Sequence, residues 1–404
     1  MAAKRSQPEP KIQEKDVRGL KYFDQLAPLL ERLHEVGCAR DVAGNRTLHY
    51  DQYCMLILLF FFNPVVKSLR GLQQASELKN VQKKLGCART SLGSLSESVS
   101  VFDPERLKEI IAELGEQLEP LGRDPRLKDV RDTVTLVDST LISILPHLTE
   151  ASLEPNKNGQ VKWRLHTHFE VDRHVPRRID VTPDAGGDHD ERAVLERTVE
   201  ADRLYVMDRG YAKFALFNRI VLAQSSYVCR IRDNSVYTVL EERPLSPAAL
   251  AERVTGDKVI SLGGDSNAER PSHRVRLITI QAKPHNKTTA SPGPGCDGTL
   301  RIATNRLDVP AEVIALLYHY RWTIEIFFRF FKQILGCRHL LSGSQNGIEI
   351  QTYCAIIACM LISLLTGKKP TLRTYEMLCW YFIGVADLDE LLAHIEKLKK
   401  HDAK

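Results

Sequence analysis

The apolar positions of this chain recur with two different periods, and the change between them divides it. From Tyr22 to about Leu127 the spacing is helical: YFDQLAPLLERLHEV carries apolar residues at i, i+3, i+4 and i+7. Asp51–Phe62 predicts an apolar helix stopped by Asn63-Pro64. Ser91–Asp103 ends on a Phe-Asp-Pro start signal for another, Glu105–Leu118. After the breaker-rich PLGRDPRLKD the period shortens. Thr133–Asp138, Val161–Phe169 and Arg177–Thr182 predict successive strands. Glu191–Glu200 predicts a helix, Arg203–Asp208 a strand, Lys213–Leu222 a helix and Tyr227–Arg232 a strand. Strands followed by alternation with helices is the pattern of a mixed sheet covered by helices, an α/β fold.

From Asp233 to about Thr299 that rhythm is interrupted. Strand-like VYTVLEE and RVRLITIQA stand beside the loop SLGGDSNAERPSH and the Gly/Pro-rich TTASPGPGCDG, which suits an insertion of antiparallel strands. Leu300–Thr304 returns to strand, and Val309-Pro310 opens a long helix to about Leu335. Beyond Gly336 the pattern is helical to the end. The expected organisation is a charged tail without fixed structure (1–16), a helical region (17–127), the first part of an α/β core (128–232), a β-rich insertion (233–303), the rest of the core (304–340) and a helical C-terminal region (341–404).

A length of 404 residues exceeds one ordinary core, so two or three domains or subdomains are expected. With 43% hydrophobic and 26% charged residues the chain reads as a globular protein, and a net charge of +5 permits a polyanionic partner without demanding one. The cysteines (38, 54, 87, 229, 296, 337, 354, 359 and 379) form no C-x2-C pair and mostly sit in apolar runs, as buried free thiols of a reducing compartment do. The N-terminal stretch has no apolar signal region, and the runs Cys54–Phe62 and Cys354–Leu365 fall short of the roughly 20 residues that span a bilayer. A cytoplasmic protein without membrane segments is expected.

The segment Tyr318–Lys332, YHYRWTIEIFFRFFK, carries the most chemistry. At about 100° per residue, Arg321, Glu325, Arg329 and Lys332 fall within an arc of about 80°, and Phe, Ile and other apolar residues fill most of the remainder. Such a stripe is either a solvent-facing edge, with Glu325 pairing Arg321 and Arg329 at i±4, or the lining of a cleft. Two further carboxylates bear on the choice. Asp138 ends TLVD ahead of Ser139-Thr140, and Asp208 ends RLYVMD ahead of Arg209-Gly210. Each alone is as readily a turn or helix-cap aspartate. Together, two strand-end aspartates and a glutamate on a largely buried helix make a metal-binding arrangement, of the oxygen-donor kind that hard divalent ions such as Mg²⁺ prefer.

Tyr318, Arg321, Glu325 and Lys332 reproduce a Y-x2-R-x3-E-x6-K signature. With Asp138 in VDST, Asp208 in MDRGY and a strand-rich segment between Asp208 and Glu325, the chain resembles the DDE transposases of bacterial insertion sequences, of the insertion-sequence-four group. The resemblance extends over about residues 125–345. It implies an RNase H-like core with a β-strand insertion before the catalytic helix, and it marks Gly187-Asp188-His189-Asp190 and Asp208-Arg209-Gly210-Tyr211 as family-typical. It implies Mg²⁺ as cofactor, with Mn²⁺ as a substitute, and as partners the element's terminal inverted repeats, target DNA and a second copy of the chain in a synaptic homodimer. The helical region 17–127 becomes the expected DNA-binding region.

On that reading Asp138, Asp208 and Glu325 hold two Mg²⁺ ions flanking the scissile phosphate. Water then frees a 3′-OH that attacks the opposite strand or target DNA. Tyr318, Arg321 and Lys332 would position phosphates, with Arg329 sharing the stripe but lying outside the signature. His189 and Asp190 either support the metal residues or cap a helix. Lys79, Lys83, Lys84 and Arg89 are a solvated helix face or a contact to element ends. Relatives that form a DNA hairpin hold a flipped base with a tryptophan of the insertion. Here the tryptophans are Trp163, Trp322 and Trp380, none in the insertion, and Tyr237 is the available aromatic. A nuclease without strand transfer and an inactive DNA-binding relic are the competing readings.

Overall fold

The computed structural model describes residues 26–36, 41, 44, 46–120, 123–144, 161–264, 269–282, 298–335 and 340–401. The expected tail 1–16 and Cys38, Cys296 and Cys337 lie outside them. The chain divides into two compact units: a helical one with the described residues up to 119 and from 330, and an α/β one with those of 120–329.

The helical unit contains α1 (Ala27–Glu31), α2 (Leu33–Val36), α3 (Tyr50–Phe62), α4 (Leu69–Ser76), α5 (Lys79–Leu85), α6 (Leu92–Val101) and α7 (Glu105–Gln117). The C-terminal α13 (Gln345–Thr366), α14 (Leu372–Phe382) and α15 (Leu388–His401) complete it. Its centre is α13 packed on α3 and α7. Both α3 and α13 are apolar around most of their circumference, so each must be covered on every side. Helix α13 starts at Ser344, whose hydroxyl accepts from the Gly347 N–H at 3.2 Å, and stops at Gly367 with φ +65°. It is long and apolar enough to cross a membrane, but 89% of its most apolar window is buried inside the protein. The described cysteines 54, 87, 229, 354, 359 and 379 are all free and buried.

The α/β unit is built on β1 (Thr133–Ile144), β2 (Val161–Glu170), β3 (Val175–Pro183), α8 (Glu191–Thr198), β4 (Arg203–Met207), α9 (Phe214–Leu222), β5 (Ser226–Arg230), β6 (Tyr237–Glu242), α10 (Pro247–Ala251), β7 (Val254–Leu262), β8 (Val275–Gln281), β9 (Thr299–Thr304), α11 (Ala311–Tyr320) and the start of α12 (Trp322–Leu335). Among the described residues its nine strands form one sheet in the order β3-β2-β1-β4-β5-β9-β8-β7-β6. The first three pair antiparallel, β1, β4 and β5 run parallel, and the remainder pair antiparallel. This is the mixed, helix-covered sheet expected of an RNase H-like core, and the strands of 233–303 extend it.

On one face Val137, Tyr205, Met207, Tyr227 and Cys229 pack with Leu195 of α8 and Phe217 of α9. Alternation sends Leu136 and Asp138 to the opposite face. There α11 packs on β5, and Phe327 of α12 meets Phe169 at 5.2 Å between centroids.

The structure corrects the sequence reading at several points. The expected long helix from Pro310 is broken at Arg321, where a turn from the Tyr318 carbonyl to the Arg321 N–H separates α11 from α12. Strand β1 continues past Asp138 to Ile144, because β2 pairs along its whole length. Strand β7 and helix α10 were not expected. The charge that interrupts β7, Asp257, is buried against Arg276 of β8 in a bidentate pair at 2.8 and 2.6 Å.

Candidate active site

Strand pairing places the two aspartates. The parallel register between β1 and β4 runs through Val137 opposite Met207, so Asp138 in β1 and Asp208, the residue that follows β4, come directly after the last paired residues. Pairing with β4 ends there while β1 goes on with β2, where Asp138 faces Thr167. Each aspartate is oriented by a backbone amide close by. The Ser139 N–H donates to Asp138 Oδ1 at 2.8 Å. The Gly210 N–H donates to Asp208 Oδ1 at 2.7 Å, which makes Asp208 the cap of the single turn Arg209–Tyr211.

Helix α12 brings the third carboxylate. Arg321 Nη1 lies 2.6 Å from Glu325 Oε1 and 3.8 Å from Asp138 Oδ2, so one guanidinium serves both acids. The i,i+4 pair that the sequence allowed is therefore present, and it points toward Asp138. Burial pushes the Asp138 carboxyl up to about 6; the Ser139 amide opposes this, the Asp208 charge adds to it, Arg321 opposes it, and Glu325 adds again. Tyr318 is buried on α11, with the Arg321 guanidinium 6.0 Å from its ring centre. Burial raises its hydroxyl, and Arg321 and Arg230 counter that. The exposed ring of Trp322 lies 5.0 Å from the same guanidinium.

The remaining candidates lie elsewhere. Arg329 is exposed on α12, and no ion pair joins it to Glu325 among the described residues. Lys332 is half-buried on the part of α12 that belongs to the helical unit. Tyr237 lies on the edge strand β6 and packs its ring against the apolar cluster of the sheet. Asp190 caps α8 by accepting from the Arg192 N–H at 2.9 Å, the simpler of its two expected roles, and His189 is exposed. Lys79, Lys83, Lys84 and Arg89 are all exposed, with Arg89 donating to Glu77 at 3.2 Å.

Sequence reasoning missed a second layer beneath the aspartates. Glu191 Oε2 accepts from the Ser139 hydroxyl at 2.7 Å and from Arg164 at 3.2 Å, and Arg164 also holds Asp184 at 2.6 Å. The Tyr211 hydroxyl is buried without a hydrogen-bond partner among the described residues. Burial raises it well above its ordinary value, with Glu191, Asp138 and Asp208 adding to the rise. Only the DRGY motif hinted at this layer.

The donor set suits a hard divalent cation. Asp138, Asp208 and Glu325 offer only carboxylate oxygens, and the Thr167 Oγ1 and Tyr211 hydroxyl oxygens are buried without partners among the described residues. Among the described residues, no group of three or more acidic, histidine or cysteine side chains is close enough to hold one ion. Arg321 is the counter-charge for Glu325 and Asp138.

A family model described as "Transposase DDE domain" matches residues 130–361, more than half of the chain. A relative in Sinorhizobium fredii, provisionally named transposase y4zB, is 28% identical over 249 residues, 60% of this chain and 64% of the relative. One in Geobacillus stearothermophilus, provisionally named as the transposase for insertion sequence element IS5377, is 27% identical over 260 residues, 63% of each. A third, in Synechocystis, provisionally named as the transposase for insertion sequence element IS4SA, is 23% identical over 311 residues, 74% of this chain and 79% of the relative. The matched part of this chain thus spans less than two thirds of the first two relatives' own lengths. A piggyBac transposase synaptic complex with hairpin DNA matches 96% of this chain and 87% of its own at 10% identity and a TM-score of 0.41.

Proposed function

The chain belongs to the transposase DDE domain family, and from that premise we propose that it is a DNA transposase in which Asp138, Asp208 and Glu325 hold divalent metal. The observation that carries the proposal is that Asp138 and Asp208 each directly follow the last paired residues of the parallel strands β1 and β4, Val137 and Met207, with Glu325 linked to Asp138 through one arginine. Three carboxylates in a half-buried site repel one another, and that repulsion is part of what lifts Asp138. A site of this kind gains free energy from any cation it admits.

Mg²⁺, or Mn²⁺ in its place, when bound would polarise the scissile phosphate and lower the pKa of bound water. Asp138 and Asp208 would hold it from the sheet, and Glu325 from α12 once it exchanges Arg321 for the cation. Arg321, then free of Glu325, and Tyr318 would orient DNA phosphates at the cut, with Lys332 extending that contact. Arg329, exposed on the same helix, would meet the backbone farther out. Strand transfer follows when a freed 3′-OH takes the place of water as nucleophile in the same site. The ends and target would be duplex DNA, the helices of 17–127 would hold the element's terminal repeats, and two copies of the chain would synapse two ends.

The test is incubation of a supercoiled donor plasmid bearing element ends with Mg²⁺ and the wild-type protein, beside Asp138→Ala, Asp208→Ala and Glu325→Ala. Double-strand ends with joined products, abolished in all three variants, are expected. Nicks without joining would indicate a nuclease, and retarded but uncut DNA a binding protein. Robust cutting by any one variant would remove that residue from the site.

A further inference from the structure

Each aspartate of the site is aimed by a neighbouring amide, Ser139 N–H for Asp138 and Gly210 N–H for Asp208. One side chain touches both of those neighbours. Glu191, the first residue of α8, accepts from the Ser139 hydroxyl through Oε2 at 2.7 Å. Its Oε1 lies where a Cβ on Gly210 would sit only 2.8 Å away, and the same Cβ would be 3.0 Å from Asp208 Oδ1. Arg164 of β2 fixes the carboxylate from the side, reaching Oε2 at 3.2 Å and the Ser139 hydroxyl at 3.2 Å while held by Asp184 at 2.6 Å.

We propose that Glu191 is a positioning residue that sets the separation of Asp138 and Asp208 by clamping Ser139 of β1 to the Gly210 turn after β4. The clamp is needed because β1 and β4 share no ladder pair beyond Val137 and Met207, so backbone hydrogen bonds stop one residue short of the acids. A carboxylate in the first turn of α8 would also favour the helix dipole, but that role is met from solvent, and the cap is already supplied by Asp190. The clamp also explains why Gly210 bears no side chain: any Cβ there would push against Glu191 or Asp208. Tyr211, next in the chain, buries its unpartnered hydroxyl among the same acids. Residues that orient metal-holding side chains typically change affinity by about 10- to 100-fold when removed.

The inference rests on the metal-dependent reading above, and one titration separates the two. Mn²⁺ binding to the full chain is followed by electron paramagnetic resonance for wild type, Asp138→Asn, Glu191→Ala, Glu191→Gln and Ser139→Ala. Asp138→Asn should weaken binding by about tenfold or more, and Glu191→Ala by about 10- to 100-fold. Glu191→Gln, which keeps an oxygen for Ser139 and its bulk against Gly210, should stay within about fivefold of wild type. Ser139→Ala keeps its amide to Asp138 but loses the clamp, and should fall about three- to tenfold; it decides the matter if Glu191→Ala does not fold. Wild-type affinity in Glu191→Ala or Ser139→Ala, with Asp138→Asn impaired, overturns the clamp alone. Equal loss in the Gln and Ala variants of Glu191 makes it a direct ligand and also overturns the clamp. A wild type that binds no Mn²⁺, or an Asp138→Asn that binds it as tightly, removes the metal site and the clamp with it.

Discussion

The raised carboxyl of Asp138 predicts that removing its charge stabilises the metal-free protein. Its pKa stands at about 6 against an ordinary 3.8, a difference of about two units, and each unit is about 1.4 kcal/mol. Between those two values the native state binds more protons than the unfolded chain, so this group's contribution to stability falls as pH rises through about 6. Above that pH the ionised Asp138 costs about 3 kcal/mol, and its side chain is only 19% exposed, so solvent screening takes away little of it. Asp138→Asn keeps an oxygen for the Ser139 amide and loses the charge. The variant should be about 1–3 kcal/mol more stable than wild type at pH 8 in chelator, and the gain should shrink toward zero at pH 4. Urea unfolding followed by fluorescence at both pH values measures it. The comparison must be between variants, because burial depresses His166 to about 4 and His168 to about 3, and these groups destabilise the wild type in acid. A variant less stable than wild type at pH 8, or a gain undiminished at pH 4, would refute the electrostatic account.

Three further outcomes follow from the same geometry. His168 is buried and neutral, so its contribution is present above pH 6.5 and lost as pH falls toward about 3; in His168→Gln the acid limb of a stability profile should flatten. The buried pair of Asp257 and Arg276, each side chain 4% exposed, should make Asp257→Ala cost about 3–5 kcal/mol in chemical denaturation, while loss under about 1 kcal/mol would count against it. Gly210→Ala should lower plasmid cleavage by about 100-fold with little change in melting temperature, because the added methyl displaces the Asp208 or Glu191 carboxylate; unimpaired cleavage would show that the turn tolerates the shift.

Much of the α/β core could be read from alternation, because its strands are apolar runs bounded by turn residues, and Asp208 stands out as the polar residue closing such a run. Asp138 was equally visible as a residue, but not its setting, since nothing local signals that β1 runs on beside β2. Strand β7 was hidden by Asp257 and Lys258, whose charges mimic a loop until Arg276 and Glu242 are seen across the ladders. The break at Arg321 was hidden too, because the apolar pattern passes through it without interruption and no proline or glycine marks it. Glu191 was beyond reach: its partner Ser139 is 52 residues away, and a carboxylate opening a helix reads as an ordinary first-turn acid.

The Arg276 side chain does more than neutralise Asp257. It also donates to the carbonyls of Arg306 and Val309, which lead into α11, the helix that carries Tyr318 up to Arg321. The outer strands are thereby tied to the root of that helix by a side chain as well as by their ladders. One side chain thus joins the ladder of the outer strands and the entry to the helix that presents Tyr318 in a single set of hydrogen bonds.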